Sequence, residues 1–336
     1  MRFRIAGGSV PGTEHIGSIN SILGKANQDA FGWIEEESEG FKQILALVCD
    51  GSSSGDNSEV GASIGLQVLL SLFQQEIRKA QITTAAQMNR VLETVTEDFC
   101  KRLRIILGTF VRDGLSREEV IRSYFLFTIV GVFVGHDKTF VFALGDGVFC
   151  VNGTIRTLGP FVGNAPPYIA YNLLPAVASK FTNGVDLTVE EEIDTSLLED
   201  LLIGTDGCND LLKTKQLSKS FQPLFADQSY FDNPAKVGRM LRQLNNVQLS
   251  FSAQPQGTNF TLERQTTEGA LPDDTTMILI RRERTPQIVV PSAAINVGVK
   301  KKSVRDVPPP KVAGFLQKGF SIFGTKGVES DDSFID

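Results

Sequence analysis

The chain has 336 residues, of which 41% are hydrophobic and 21% charged, and its formal net charge is −6. This length is enough for one large domain or two small ones with a sizeable core. The negative charge argues against nucleic acid as the main partner. No apolar run is long enough for a membrane span, and the first residues lack the apolar stretch of a signal peptide.

Four cysteines are far apart in the sequence and form no Cys-x-x-Cys pair. They are Cys49, Cys100, Cys150 and Cys208. Three of them lie in or beside strand-like segments, where cysteine acts as a small buried hydrophobic residue. This interpretation is favoured over a disulfide or a zinc site, so we expect a reducing compartment and a cytoplasmic protein.

The predicted elements form groups of strands separated by groups of helices. Strand-like runs occur near 30–34, 41–49, 124–135, 139–157, 185–193, 200–205 and 275–282, and helical apolar spacing covers roughly 58–80, 84–107 and 234–246. Asn152-Gly153 predicts a type I′ hairpin turn. Because strands do not alternate singly with helices, a doubly wound sheet is not expected, and antiparallel or mixed sheets with helices outside fit better.

The composition changes near residue 285, where prolines become frequent and Pro308–Pro310 are consecutive. This pattern predicts a folded domain over 1–284 and a flexible tail over 285–336. Within the tail, Phe315–Phe323 is apolar enough to dock on a protein partner. The alternative is a disordered tail with scattered hydrophobic residues.

Aspartates stand at the ends of several predicted strands. They are Asp50-Gly51, Asp146-Gly147 and Asp206-Gly207 after strands, and Asp273-Asp274 before the last strand. Glycine after a carboxylate permits a tight turn and lets a backbone carbonyl approach a cation. Only two histidines are present, so oxygen ligation of Mg²⁺ or Mn²⁺ is favoured over zinc. Two such ions could share a carboxylate and lower the pKa of a water that attacks phosphorus.

In this order the motifs resemble the metal-dependent serine/threonine phosphatases of the PP2C type. The matching pieces are Asn27–Phe31, Val48–Gly51, Ser58–Ala62, Ala143–Gly147, Ile203–Gly207 and Pro272–Thr276. The opening Gly12–Ile16, followed by Asn-Gln-Asp-Ala, is similar to the divergent bacterial branch of that family. The resemblance implies an α+β fold, an αββα sandwich of two mainly antiparallel sheets with helix pairs on the outer faces.

The resemblance also implies a role for each matching residue. Asp50 would bridge two metal ions. Asp206 and Asp273 would complete the coordination of the first ion, and Asp274 is the neighbour that could take the place of Asp273. The Gly51 carbonyl would bind the second ion. Asp146 would belong to a third, weaker site shared with Asp206, and Asp29 would hold a metal-bound water. The stretch 159–183 falls where the family has a mobile flap over the site.

Three positions depart from the family pattern. Gly24 stands where an arginine usually binds the substrate phosphate, and Lys25 beside it can bind phosphate only as a point charge. Gln28 replaces a glutamate and is a weaker, neutral ligand for the second metal. Val148 follows Asp146-Gly147 where typical members continue differently. The residues expected to carry catalysis are Asp29, Asp50 and Lys25.

The resemblance implies a phosphatase that hydrolyses phosphoserine or phosphothreonine on proteins, with two or three Mn²⁺ or Mg²⁺ ions and a metal-activated water. One alternative, favoured by Gly24 and Gln28, is a regulatory or binding module of the same fold with little turnover. A third is a hydrolase for a small phosphorylated molecule. Two interpretations of His15 remain, a general acid and a structural residue. Ser52–Gly55 is either a phosphate-binding loop or a loop without a role in binding.

Overall fold

Two five-stranded sheets face each other at the centre of the molecule. The structure is a computed structural model that describes residues 1–16, 25–38, 40–79, 81–110, 114–246, 248–256, 259–267 and 269–283. Every strand pair in these ranges is antiparallel. The sheets and the outer helices confirm the predicted α+β sandwich.

The strands divide into two large sheets and one hairpin. They are β1 (Phe3–Val10), β2 (Ala30–Ser38), β3 (Phe41–Gly51), β4 (Phe127–Val134), β5 (Lys138–Leu144), β6 (Gly147–Val151), β7 (Thr154–Leu158), β8 (Thr188–Asp194), β9 (Asp200–Gly204), β10 (Gln248–Gln256), β11 (Asn259–Thr267) and β12 (Thr275–Arg282). One sheet has the order β1-β12-β9-β6-β7 and the other β2-β3-β4-β5-β8. β10 and β11 pair only with each other within the described residues.

The helices are mostly short, apart from two. They are α1 (Thr13–Ile16), α2 (Ser58–Ile77), α3 (Ala85–Phe110), α4 (Arg117–Tyr124), α5 (Pro175–Ala178), α6 (Cys208–Leu211), α7 (Gln222–Ala226), α8 (Ser229–Asp232) and α9 (Lys236–Leu244). The apolar stripes that predicted helices over 58–80, 84–107 and 234–246 correspond to α2, α3 and α9. None of the described helices combines the length and apolarity needed to cross a membrane.

The side chains of β3 point alternately to its two faces and so contribute to two layers of the core. Ile44, Ala46 and Val48 pack between the sheets, whereas Leu45, Leu47 and Cys49 pack with the helices. Because both faces of β3 are covered, its sequence is an almost continuous apolar run. α2 and α3 cover this sheet, and α6 to α9 cover the other. The second outer layer is therefore built from short helices.

Several elements were not predicted from the sequence. β1 contains Gly7-Gly8, a pair with weak strand propensity. Glycine is needed at position 8 because a Cβ there would lie 2.4 Å from the backbone nitrogen of Gly238 in α9. α4, which also was not predicted, begins with a complete capping box between Ser116 and Glu119.

The predicted Asn152-Gly153 turn is present, with φ of 49° at Asn152 and 86° at Gly153.

The predicted tail lies outside the described residues. Contacts divide the chain into Met1–Thr285 and Pro286–Asp336, and all described residues belong to the first unit. The range 285–336, with its segment Phe315–Phe323, therefore stays a prediction from the sequence.

A stability test follows from a glycine in α2. A Cβ on Gly61 would lie 1.6 Å from the carbonyl oxygen of Tyr124, and a backbone atom cannot move aside as a side chain does. We expect Gly61→Ala to lower the free energy of unfolding by about 1–3 kcal/mol, as overpacking does. Equilibrium unfolding in urea measures this change.

Gly108→Ala is the matched control, because Gly108 also lies inside a helix but has no atom within 4 Å of its Cβ position. Helix propensity should raise the unfolding free energy of that variant by up to about 1 kcal/mol. Equal effects of the two substitutions would contradict the close packing of α2 on Tyr124.

Candidate active site

The predicted aspartates meet at one end of the sandwich. β3 ends at Asp50-Gly51, the turn between β5 and β6 carries Asp146, and Asp206 follows β9. Asp273 and Asp274 precede β12, which pairs with β9. The aspartate pocket is lined by His15, Gln28, Asp50, Gly51, Ser52, Ser53, Thr128, Asp146, Asn164, Pro166, Tyr168, Asp206, Asp273 and Asp274. Strand order thus places carboxylates together that are up to 224 residues apart, from 50 to 274.

Crowding of carboxylates raises their pKa values. Burial raises the pKa of Asp50 well above its usual range, and repulsion from Asp29, Asp206, Asp273 and Asp146 adds to the shift. Burial, followed by repulsion from Asp206, raises the pKa of Asp146 to about 6. Groups of like charge in a partly buried pocket are stabilised by a cation that offsets their repulsion.

Asp29 lies beside this group, at the start of β2. Burial raises its pKa to about 8, and the nearby hydroxyls of Thr276 and Thr205 act in the opposite direction. Thr205 donates a hydrogen bond to Oδ2 of Asp29 at 3.0 Å. Asp29 is not among the residues that line the aspartate pocket, but its charge contributes to the raised pKa of Asp50, which does line it.

The oxygen atoms present fit a hard divalent cation. Oε1 of Gln28 and Oδ1 of Asp29 are buried and have no hydrogen-bond partner among the described residues, which is unusual for buried oxygens. A Cβ on Gly51 would lie 2.6 Å from the Gln28 carbonyl, so glycine keeps this backbone close. Carboxylate, carbonyl and amide oxygens are the donors that Mg²⁺ and Mn²⁺ prefer.

The carboxylates share a pocket without closing around a single point. Over the ranges that the structure describes, no group of three or more His, Cys, Asp or Glu side chains is arranged to hold a metal ion. The donor types therefore fit a cation, although the described side chains do not bring three carboxylates onto one ion.

The structure separates Asp273 from its neighbour Asp274. Asp274 is 3% exposed, and its Oδ1 accepts hydrogen bonds from the Gly12 backbone nitrogen at 2.7 Å and from Nδ1 of His15 at 2.8 Å. Its Oδ2 accepts one from the Gln28 backbone nitrogen at 2.6 Å. Asp273 is exposed and accepts only from the Asp274 backbone nitrogen within the described hydrogen bonds. Asp273 thus has oxygens free for a ligand, whereas those of Asp274 are engaged.

A family model described as protein phosphatase 2C matches residues 12–247. The chain belongs to the protein phosphatase 2C family. Among proteins with curated descriptions, none matches the chain.

Solved structures to which the chain is similar include bacterial phosphatases. A bacterial serine phosphatase is 14% identical, with 83% of this chain and 97% of that chain covered and a TM-score of 0.47. Serine/threonine phosphatase Stp1 from Staphylococcus aureus is 14% identical, with 84% and 96% covered and a TM-score of 0.46. PppA from Pseudomonas aeruginosa is 14% identical, with 84% and 98% covered and a TM-score of 0.43.

The first motif of this phosphatase 2C chain is engaged in local hydrogen bonds. Nε2 of Gln28 donates to Oγ of Ser58 at 2.6 Å and approaches the carbonyls of Ser52 and Gly55 at 3.4 Å. The amide nitrogen of Gln28 therefore holds the loop after β3 in place. The side-chain oxygen of Gln28, Oε1, is the polar atom left for a ligand.

Lys25 lies at the rim of the site and not in the pocket lining. Its Nζ donates to the carbonyl of Ser53 at 2.9 Å, and its side chain is exposed. Gly24, where the family usually has arginine, lies outside the described residues. The described lining residues include no lysine or arginine.

The stretch 159–183, expected to form a flap, contributes to the pocket. It contains 3₁₀ turns over Val162–Asn164 and Ile169–Leu173 and the short helix α5, and Asn164, Pro166 and Tyr168 reach the pocket lining. Sequence reasoning assigned no role to Asn164, Tyr168, Thr128 or Thr205. Thr205 lies inside the recognised motif Ile203–Gly207, and Asn164 and Tyr168 lie in the stretch expected to form a flap, whereas nothing in the local sequence marks Thr128.

Stability measured in the presence of a chelator tests the different roles of Asp273 and Asp274. Asp274→Asn should lower the free energy of unfolding by about 2–3 kcal/mol, because an amide NH₂ would face buried donors that now share a charged acceptor. Asp273→Asn should change it by less than about 0.5 kcal/mol, because that side chain is exposed. Chemical denaturation measures both, and a larger loss for Asp273→Asn would contradict the assignment.

Proposed function

We propose that the protein hydrolyses phosphoserine and phosphothreonine on proteins, with two Mn²⁺ or Mg²⁺ ions, or three where Asp146 takes part. The observation that carries this proposal is the meeting of Asp50, Asp146, Asp206 and Asp273 at one pocket of a phosphatase 2C chain. The raised pKa values of Asp50 and Asp146 support it, since they reflect burial and, after it, repulsion between carboxylates that cations would relieve.

Asp50, Asp206, Asp273 and the carbonyl of Gly51 would hold two ions, and Asp146 with Asp206 a third. When bound, the ions would activate a water for attack on phosphorus and offset the charge of the phosphate. We propose Asp274 as a positioning residue and not a ligand, because three protein donors engage its oxygens.

Asp29 would orient the attacking water. Its Oδ2 accepts a hydrogen bond from Thr205, and its Oδ1 has no partner within the part of the chain that the structure describes. Lys25 would assist from the rim, where its ammonium group is bound to the carbonyl of Ser53 and adds positive charge near a negative substrate.

His15 would donate a proton to the leaving oxygen of the substrate. Its Nδ1 is bound to Asp274, so Nε2 is the ring nitrogen left for the pocket that His15 lines. A carboxylate bound to one ring nitrogen orients a histidine for proton transfer at the other. The segment that carries His15 does reach the site, which sequence reasoning left open.

The first test is metal-dependent hydrolysis of p-nitrophenyl phosphate and a phosphothreonine peptide. Asp50→Asn and Asp206→Asn should each lower the Mn²⁺-dependent rate by at least about 100-fold, because each removes a ligand carboxylate. Asp194→Asn is the control, since Asp194 lies at the exposed end of β8 and contacts Lys138. Wild-type protein without activity under any metal or pH condition would sink the proposal.

The role of His15 is tested by the choice of leaving group. His15→Asn keeps a donor near the Nδ1 position and removes Nε2, so it should slow the peptide reaction by about 100-fold and the p-nitrophenyl phosphate reaction far less. An alkoxide needs a proton as it leaves, whereas p-nitrophenolate does not. His136→Asn, at an exposed histidine, should leave both rates unchanged. Equal slowing of both substrates by His15→Asn would argue for a structural role.

A second candidate function is a phosphatase-fold binding or regulatory module with little turnover. The lack of lysine and arginine in the described pocket lining favours it. Calorimetry separates the two candidates: a binding module takes up Mn²⁺ or a phosphoprotein without a metal-dependent rate.

For the cellular setting we propose the cytoplasm. The four cysteines are free and buried, and burial raises the pKa of Cys100 and Cys150 to about 11. Such thiols are unreactive and suit a reducing compartment. The proposed partners are phosphorylated proteins and a protein bound by Phe315–Phe323 of the tail.

A further inference from the structure

The aspartate pocket offers an unusual set of hydrogen-bond donors to a phosphate that would bind there. Five of its lining residues are aspartates, and its described lining holds no lysine or arginine. The hydrogen-bond donors that remain are mainly neutral hydroxyl and amide groups, on Ser52, Thr128, Asn164 and Tyr168. A phosphoryl group has three non-bridging oxygens, so donors in addition to any cations are needed to bind it.

Tyr168 is the most firmly held of these donors. The residue is 6% exposed, and its ring packs edge-to-face on Tyr171 at 5.3 Å. Tyr171 in turn stacks on Phe181 at 5.7 Å. Tyr168 also belongs to the same apolar cluster as the outer face of β3. Packing therefore fixes the ring, while the phenol end lies at the pocket.

The phenol keeps its proton at neutral pH. Burial raises the pKa of Tyr168 to about 12, a hydrogen bond with the Ser52 side chain acts in the opposite direction, and Asp146 and Asp50 add to the rise. Tyr168 lines the same pocket as Asp50 and Asp146, the carboxylates proposed to hold ions. A protonated phenol at that position is a donor for an anion that binds between them.

Ser52 is fixed as firmly as Tyr168. Its backbone nitrogen donates to the carbonyl of Leu126 at 2.9 Å, and its carbonyl accepts from Oγ of Ser58 at 2.9 Å. Its own Oγ shares a hydrogen bond with Oγ of Ser54 at 2.7 Å. The position of Ser52, the partner of the Tyr168 hydroxyl, is therefore set by residues outside the stretch 159–183.

We propose that Tyr168, held against Ser52, is a substrate-binding residue whose hydroxyl donates a hydrogen bond to a non-bridging phosphoryl oxygen. The site would thus recognise the phosphate of a monoester partly through neutral donors. This inference rests on the proposed function, because it concerns the same pocket and the same substrate class.

The test uses the full chain loaded with Mn²⁺ and inorganic phosphate as the probe. Tyr168→Phe keeps the ring and removes only the hydroxyl. We expect its dissociation constant for phosphate, measured by calorimetry, and its KM for p-nitrophenyl phosphate to rise about tenfold, as for the loss of one hydrogen bond to a charged group. Tyr171→Phe is the matched control, because Tyr171 is a buried neighbour that does not line the pocket.

The binding measurement separates this inference from the proposed function. Wild-type protein that binds phosphate through Tyr168 but shows no turnover would sink the proposed function and support the inference. Unchanged phosphate affinity and KM in Tyr168→Phe would overturn the inference, and so would wild-type protein that binds no phosphate. An equal loss in Tyr171→Phe would also overturn it, since both variants would then act through packing.

Discussion

The carboxylate of Asp274 joins the last strand to the N-terminal part of the chain. Its three donors are the backbone nitrogens of Gly12 and Gln28 and the ring of His15, which lie 246 to 262 residues away in sequence. Charge-assisted hydrogen bonds of this kind are among the stronger ones in proteins. Through them Asp274 connects the segment that carries Asp29, and so the start of β2, to the start of β12 in the other sheet.

Electrostatic repulsion is the second constraint on the pocket. Carboxylates from four strand ends meet there, and burial, followed by repulsion from neighbouring aspartates, raises the pKa values of Asp50, Asp146 and Asp273. Such an arrangement costs stability, so it is typical of a functional site and not of a structural one. The same negative charge would repel a phosphate, which is why cations and the neutral donors on the Ser52 and Tyr168 side both matter to the proposed chemistry.

The motifs at strand ends could be read from the sequence because they depend on local patterns. An apolar strand, a carboxylate and a glycine are adjacent in the chain at Asp50 and Asp206. The apolar stripes of α2 and α3 were equally local. By contrast, β1 was missed because glycine at position 8 is required by contact with α9, at a distance of about 230 residues in sequence.

The sequence by itself determined the family, the αββα layers and the set of aspartates at the strand ends, because each rests on short patterns. Only the tertiary structure distinguishes the hydrogen bonding of Asp274 from that of Asp273, because the difference lies in donors from the far N-terminal segment. It also brought His15 to the pocket, left Lys25 at its rim and placed Tyr168 in the same pocket lining as Asp50 and Asp146. These positions depend on which segments pack together, and no local spacing of residues encodes that.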